Sequence, residues 1–262
     1  MTLGDEGVML ELERKRYFDA TAETFGGGDG DALGKRLSQD SSPIPEYLRD
    51  TYYWAYLSPL GVALLDHPIV VWTILWGNYP RLRQAAFAEL EAGQKVLQPA
   101  CVYGNFSPDL ARHLGPQGRL DVFDVAPIQV AGCRRKLRDI PHARVRLADS
   151  TYSGAEVYDA VCCFFLLHEL PDKFKRLAVN ALLGHVLPGG KVVFVDYHRP
   201  HPAHPLKPIT SFAFRHLEPF AFGMWDREIA DLADNASDFE WSKETLFGSL
   251  FQKVVARRRT AS

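Results

Sequence analysis

The residues best equipped for chemistry sit just behind short apolar runs. Gln98-Pro99-Ala100-Cys101-Val102-Tyr103-Gly104-Asn105 closes the first run, and Asp124, 26 residues beyond Gln98, closes the second with Val125 after it. Asp149-Ser150 follows the third, Phe164-Phe165-Leu166-Leu167-His168-Glu169 the fourth, and Asp196-Tyr197-His198 the fifth. A carboxylate at the position of Asp124 can accept both ribose hydroxyls of a nucleoside, and Asp149-Ser150 suits an adenine amino group, with a metal as the other use of Asp149. His198, His201 and His204 recur at intervals of three among prolines that forbid a regular helix. In a polyproline II conformation they would share a face, and imidazole both titrates near neutrality and binds transition metals. A metal ligand or proton carrier can come from this set, His198 first because it is nearest the strand end. For His201 and His204 a rigid polar loop is the favoured reading.

These positions matter only if strands and helices deliver them to one edge. Apolar runs at Lys95–Ala100, Arg119–Val125, Ala143–Ala148, Tyr158–Phe165 and Lys191–Asp196 read as strands. Ser107–Leu114, Pro127–Leu137 and Asp172–Val186 read as the helices between them, with a turn at Pro188-Gly189-Gly190. Phe239–Thr245 and Phe251–Arg257 read as antiparallel strands around Gly248. The alternation predicts a doubly wound α/β sheet of seven strands with the last strand antiparallel, whose ligands gather outside the carboxyl ends of the strands.

Length and composition agree with an enzyme-sized α/β domain. The chain has 262 residues, 47% hydrophobic and 24% charged, with 30 basic against 32 acidic side chains; this excludes wholesale disorder and a highly basic nucleic-acid binder. Residues 1–42 hold nine acids and five bases and turn glycine-rich from Gly26, which reads as a flexible N-terminal segment. Residues 43–92 form an aromatic helical cap, broken at Pro59 and at Asp66-His67-Pro68, that packs on the main domain or also meets lipid. Its apolar run Ile69–Trp76 is far short of the ~20 residues of a membrane span. Residues 93–262 form the α/β domain with an insertion at about 198–238. The four cysteines make no C-x-x-C pair, which favours a reducing compartment, and the amino terminus does not read as a secretory signal.

From about Lys95 to Arg257 the order and spacing resemble the class I S-adenosylmethionine-dependent methyltransferases, a Rossmann-like fold. The resemblance implies an acid and several glycines after the first strand. Here Gln98, Ala100 and Val102 stand at those positions and Gly104 alone remains. The departures resemble a narrower family, the rhodoquinone biosynthesis proteins of the RquA type, through IPEYLRDTYYWAYLSP, VVWTILWGNY, VLQPACVYGNFSPDLARHLG, LDVFDVAP, FLLHELPD, GGKVVFVDYH and HPLKPIT.

That family resemblance implies conversion of ubiquinone to rhodoquinone, an amino group from S-adenosylmethionine replacing a ring methoxy group, with Mn2+ as metal. From their places after the strands, the residues expected to hold the cofactor are Gln98, Ala100, Tyr103, Gly104, Asn105, Asp124, Val125, Asp149, Ser150 and Phe164. Catalysis would fall to His168, Tyr197 and His198, with His168 polarising a quinone carbonyl. His198 and Glu169 are the candidate metal ligands, Glu169 alternatively being a base or a first-turn acid facing the helix dipole. Tyr52, Tyr56, Trp72, Trp76 and Phe212 would line a cleft for the quinone head and the start of its isoprenoid tail. Gln98 either leaves the donor amine easier to deprotonate or merely satisfies nearby backbone. The expected setting is cytoplasmic, at the inner face of a quinone-containing membrane, with transient surface contact and no nucleic-acid partner. Ordinary methylation of a quinone or small aromatic, and lipid binding on a degenerate fold, are the alternatives.

Overall fold

The computed structural model describes residues 44–151 and 155–260. The flexible segment expected over residues 1–42 lies outside the described residues. Seven strands form one sheet: β1 (Lys95–Gln98), β2 (Arg119–Asp124), β3 (Ala143–Leu147), β4 (Tyr158–Phe164), β5 (Val186–Tyr197), β6 (Phe239–Leu246) and β7 (Phe251–Arg258). Their order is β3-β2-β1-β4-β5-β7-β6, with β7 antiparallel to both neighbours and the other pairings parallel. Strand order reverses direction at β1/β4, the place where such a sheet opens a crevice.

Side-chain alternation divides the core between the two faces of the sheet. Val96, Ala160, Cys162, Phe164, Val193 and Val195 pack on one side, and Leu97, Val161, Cys163, Val192 and Phe194 on the other. Burial on both faces explains why these strands read as continuous apolar runs. Pro127 opens the helix Pro127–Leu137, where its missing N–H costs nothing, and Arg134, Arg135 and Lys136 occupy the last turn, where positive charge suits the helix dipole. The turn expected at Pro188-Gly189-Gly190 is instead a bulge inside β5. Tyr158 pairs with Val186 but Ala160 with Lys191, so Leu187 to Gly190 swell out of the ladder. Gly189 has φ +79°, and a Cβ at Gly190 would lie 2.7 Å from the Asp159 carbonyl oxygen.

The cap is helical and breaks at the expected prolines. It comprises α1 (Glu46–Tyr52), a π-helical turn (Tyr53–Leu57), α2 (Pro59–Leu65), α3 (Pro68–Ile74) and α4 (Tyr79–Phe87). Leu82 and Ala86 of α4 enter the main core, whereas Leu48, Tyr52, Leu57 and Ala126 make a small cluster of their own. No helix among the described residues is long and apolar enough to cross a membrane. Helices α5 (Phe106–Leu114), α6 (Pro127–Leu137) and α7 (Asp172–Gly184) connect the parallel strands. The segment between β5 and β6 holds α8 (Lys207–His216), a 3-10 turn (Pro219–Phe222) and α9 (Gly223–Asp226). Much of its aromatic content is structural: Phe214 is buried against Tyr197 and Trp225, with ring centroids 4.9 and 5.4 Å away.

Candidate active site

A cavity opens at the carboxyl ends of β1, β2 and β4 and is closed over by the cap. One end holds the carboxyl groups that follow β2 and β3. Asp124 ends β2, and its Oδ2 and Oδ1 accept the backbone N–H of Cys101 and of Ala126, each at 2.8 Å. Burial pushes its carboxyl up to about 6 against those N–H bonds, which favour the charged form. Two amides therefore aim the carboxylate while each oxygen keeps an acceptor site for a ribose hydroxyl. Asp149 is held by the backbone N–H and hydroxyl of Thr151 at 2.7 and 2.8 Å, and it lines the cavity with Ser150 and Phe164.

The loop between β1 and α5 is tied to the cap by a carboxylate that the sequence reading passed over. The Gly104 N–H donates to Asp66 Oδ1 at 2.9 Å, and Lys136 Nζ donates to both Asp66 and the Gly104 carbonyl. Gly104 has φ +74°, which a side chain would strain. The Tyr103 hydroxyl donates to the Ala55 carbonyl, and its ring stacks on Tyr56 at 5.6 Å, 8° from parallel. Gln129 Nε2 spans the Tyr103 hydroxyl and the Tyr56 carbonyl. Gln98 is fully buried beneath this loop and does not line the cavity. Its Nε2 donates to the Ala100 carbonyl and to Ser107 Oγ, and its Oε1 has no partner.

The other end of the cavity holds an acid–base array. Asp196, buried at the end of β5, accepts the backbone N–H of Leu167 and of Tyr197 and bonds His168 Nδ1 at 2.9 Å. His168 Nε2 stands 3.9 Å from Glu169 Oε1, which accepts the Tyr56 hydroxyl. Burial depresses the His168 imidazole, but Asp196 outweighs it and lifts the pKa to about 9. Burial, reinforced by Glu218 and opposed by His168, pushes the Glu169 carboxyl up to about 8. At neutral pH the imidazole is thus a cation, and Glu169 is poised between its two forms.

Among the residues singled out from sequence, Ala100, Tyr103, Asp124, Val125, Asp149, Ser150, Phe164, Tyr56, His168, Glu169 and Tyr197 meet at the cavity. Gln98, Gly104, Asn105, Tyr52, Trp72, Trp76, Phe212 and His198 do not line it. Tyr52 is wholly buried beside Tyr56, whereas Trp72, Trp76 and Phe212 face outward. Glu218, Trp54 and the supporting Asp66 and Gln129 were missed, and Asp196 was noted at its strand end without a role. Asp196 had a legible signal, an acid ending an apolar strand, but Glu218 in the insertion had none.

His198 and Glu169 do not fit manganese as a pair. The His198 Nδ1 bonds the Ser249 carbonyl at 2.9 Å and its Nε2 meets Lys243 Nζ at 2.9 Å, so both ring nitrogens are engaged and a cation already stands beside one. Among the described residues no three His, Cys, Asp or Glu side chains are grouped to hold a metal ion. His201 and His204 serve the turn between β6 and β7: the His201 N–H donates to the Gly248 carbonyl, and His204 Nε2 bonds the Phe247 carbonyl at 3.0 Å.

The raised pKa values couple stability to pH with a fixed sign. Glu169 keeps its proton in the folded chain up to about 8, against an ordinary 4.5, and His168 up to about 9, against 6.5. The folded state therefore binds more protons than the unfolded across that window, and stability is fully present at its acid end and lost as pH rises through it. Thermal melting in a pH series should show this decline. Glu169→Gln should flatten the lower part of it and raise the melting temperature at alkaline pH; an unchanged profile would mean that Glu169 titrates normally.

Comparison with known proteins places this architecture. Residues 96–190 match the family model described as a methyltransferase domain. The ubiquinone/menaquinone biosynthesis C-methyltransferase UbiE of Idiomarina loihiensis is 28% identical over 113 residues, 41% of this chain and 44% of that protein, so the chain spans under half the length of the curated relative it matches. An O-methyltransferase family protein from Burkholderia thailandensis superposes with a TM-score of 0.62 at 13% identity, over 87% of this chain and 68% of that one. A protein of Bordetella parapertussis described as a possible exported protein gives 0.55 at 19% identity, over 78% and 74%. Residues 96–190 are therefore similar to a methyltransferase domain, and the seven-stranded sheet has the class I methyltransferase-like fold.

Proposed function

We propose that this chain is an S-adenosylmethionine-dependent transferase acting on the ring of a membrane quinone, and that it exchanges a ubiquinone methoxy group for an amino group to give rhodoquinone. The observation that carries the reading is the single cavity with a nucleoside-type end at Asp124, Asp149 and Ser150 and a buried acid–base end at Asp196, His168, Glu169 and Tyr56. The similarity to a quinone C-methyltransferase and the long sequence words shared with the rhodoquinone family support the substrate.

Bound there, S-adenosylmethionine supplies a sulfonium centre that carries both a methyl group and an amine. Asp124 would accept the ribose hydroxyls and Asp149 with Ser150 the adenine edge. Asp196 holds His168 Nδ1, which leaves Nε2 to donate to a ring carbonyl oxygen and draw electron density from the carbon under attack. Glu169, poised near neutrality and fixed by Tyr56, would take the proton that the attacking amine loses as its nitrogen bonds the ring carbon; overall the methoxy group leaves as methanol, and the bond between the nitrogen and the donor's carbon is broken with water as co-reactant. Phe164, Phe165 and Tyr197 wall this end with rings 5.0 to 5.3 Å apart, an apolar setting that limits competing water. Methyl transfer to a quinone is the second reading, favoured by the match to methyltransferase domains.

A lipid-borne substrate needs a way in. Leu60, Leu64, Ile69 and Trp72 are more than half exposed on α2 and α3, and Leu65, Val71 and Ile74 of the same helices line the cavity. From Thr51 to Tyr79 the only acid or basic lysine/arginine is Asp66, which is paired with Lys136. A bilayer surface is the partner this face suits, with the quinone passing between the helices into the cavity.

Purified protein given ubiquinone and cofactor labelled in both methyl carbon and amino nitrogen should pass the nitrogen label to the quinone; carbon label there would instead establish methylation, and neither label would sink both readings. Asp124→Ala should weaken cofactor binding at least ~10-fold by calorimetry, the scale of hydrogen bonds to a charged group, and unchanged affinity would remove Asp124 from the ribose site. Replacing exposed Leu60 and Ile69 by Glu should lower turnover of vesicle-borne quinone while sparing a water-soluble short-tailed analogue. Equal turnover of both substrates would dismiss the bilayer contact.

A further inference from the structure

We propose that the acid-rich end of the cavity is a subsite for a ligand's primary ammonium group, held by Glu218 and Glu169 beside Tyr52 and Tyr56. The proposal deepens the cofactor reading above, from which it can be separated experimentally. Glu218 comes from the segment between β5 and β6, just before the 3-10 turn at Pro219, and lines the cavity. Its carboxyl group adjoins the hydroxyl of the fully buried Tyr52, and neither Glu218 Oε2 nor that hydroxyl has another hydrogen-bond partner. The hydroxyl can donate only one hydrogen bond, so the carboxyl group keeps acceptor sites whose burial is costly unless a ligand satisfies them.

The charges around them are unbalanced in the same sense. Three carboxyl groups, those of Asp196, Glu169 and Glu218, surround one cation, His168, and burial without a second cation opposes the ionisation of Glu169 and Glu218. Lys175 Nζ is nearby but is engaged by the Leu170 and Phe220 carbonyls and by Asp172. Burial raises the pKa of Glu218 as it does that of Glu169, and the single His168 cation opposes the rise at both. An ammonium group brings one positive charge and three donors, which answers both deficits. The surrounding rings add to this: Tyr52 and Tyr56 meet edge to face at 5.8 Å, and aromatic faces attract a desolvated cation. The absence of any metal-holding group among the described residues is no obstacle, since an ammonium needs acceptors and not a fixed coordination shell. Such an amine can be the amino-acid end of the cofactor itself or a separate small amine.

Calorimetry with three probes tests the subsite and tells the two sources apart. S-adenosylhomocysteine carries the amine; methylthioadenosine shares its adenosine and thioether but has no amino-acid end; propylamine is the free cation. With the cofactor's own amine as ligand, Glu218→Gln should weaken S-adenosylhomocysteine binding about tenfold or more and leave methylthioadenosine binding unchanged, which also shows that the variant is folded. Tyr52→Phe should act in the same direction more weakly. With a separate amine, both nucleosides bind the variant normally, and propylamine binds wild type but not Glu218→Gln. Normal binding of both nucleosides together with no propylamine binding to wild type overturns the proposal, as does a parallel loss of both nucleosides in the variant. Failure of either nucleoside to bind wild type defeats the cofactor reading instead, and propylamine on the ligand-free protein then decides the subsite alone.

Discussion

A buried carboxylate must be surrounded by donors, and Asp196 imposes that demand on the centre of the molecule. It lies 1% exposed at the end of β5, and the donors that satisfy it are the Leu167 and Tyr197 amides and the His168 ring. The amides pin the turn after β4, and the ring bond selects one orientation of His168. An imidazole held in this way stays protonated near neutrality, and its charge in turn opposes the burial that raises Glu169. The acid–base end of the cavity thus derives its orientation and its charge state from one side chain that never reaches the cavity.

The end of the cavity at Asp124 is organised by the same logic with different partners. Asp124 gathers the amides on either side of it, and Asp66 gathers the Gly104 amide and Lys136. The loop after β1 contains one glycine, Gly104, and contacts from the cap shape it. Tyr103 and Gln129 extend that brace to the π-helical turn. The cap is therefore part of the site, and the features that expose apolar surface on α2 and α3 are carried by the same short helices that hold the loop.

Strand and helix order was legible from the chain because both depend on local periodicity. The helix Pro127–Leu137 agrees to the residue with its Pro start and basic end, and Asp124, Asp149 and His168 fall at the cavity because a parallel sheet brings the carboxyl ends of its strands together. Side-chain direction and long-range pairing carry no such local mark. Gln98 turns into the core toward Ser107, His198 turns away to Ser249 and Lys243, and Tyr56 reaches Glu169 across 113 residues of sequence. Glu218 enters the cavity only because aromatic packing of Phe214 with Tyr197 and Trp225 docks the insertion beside β5. The sequence by itself determined which elements form and which residues end the strands, since those follow from spacing along one segment. The tertiary structure decided which of those residues face one another and with what charge, since burial and partners arise only when distant segments pack.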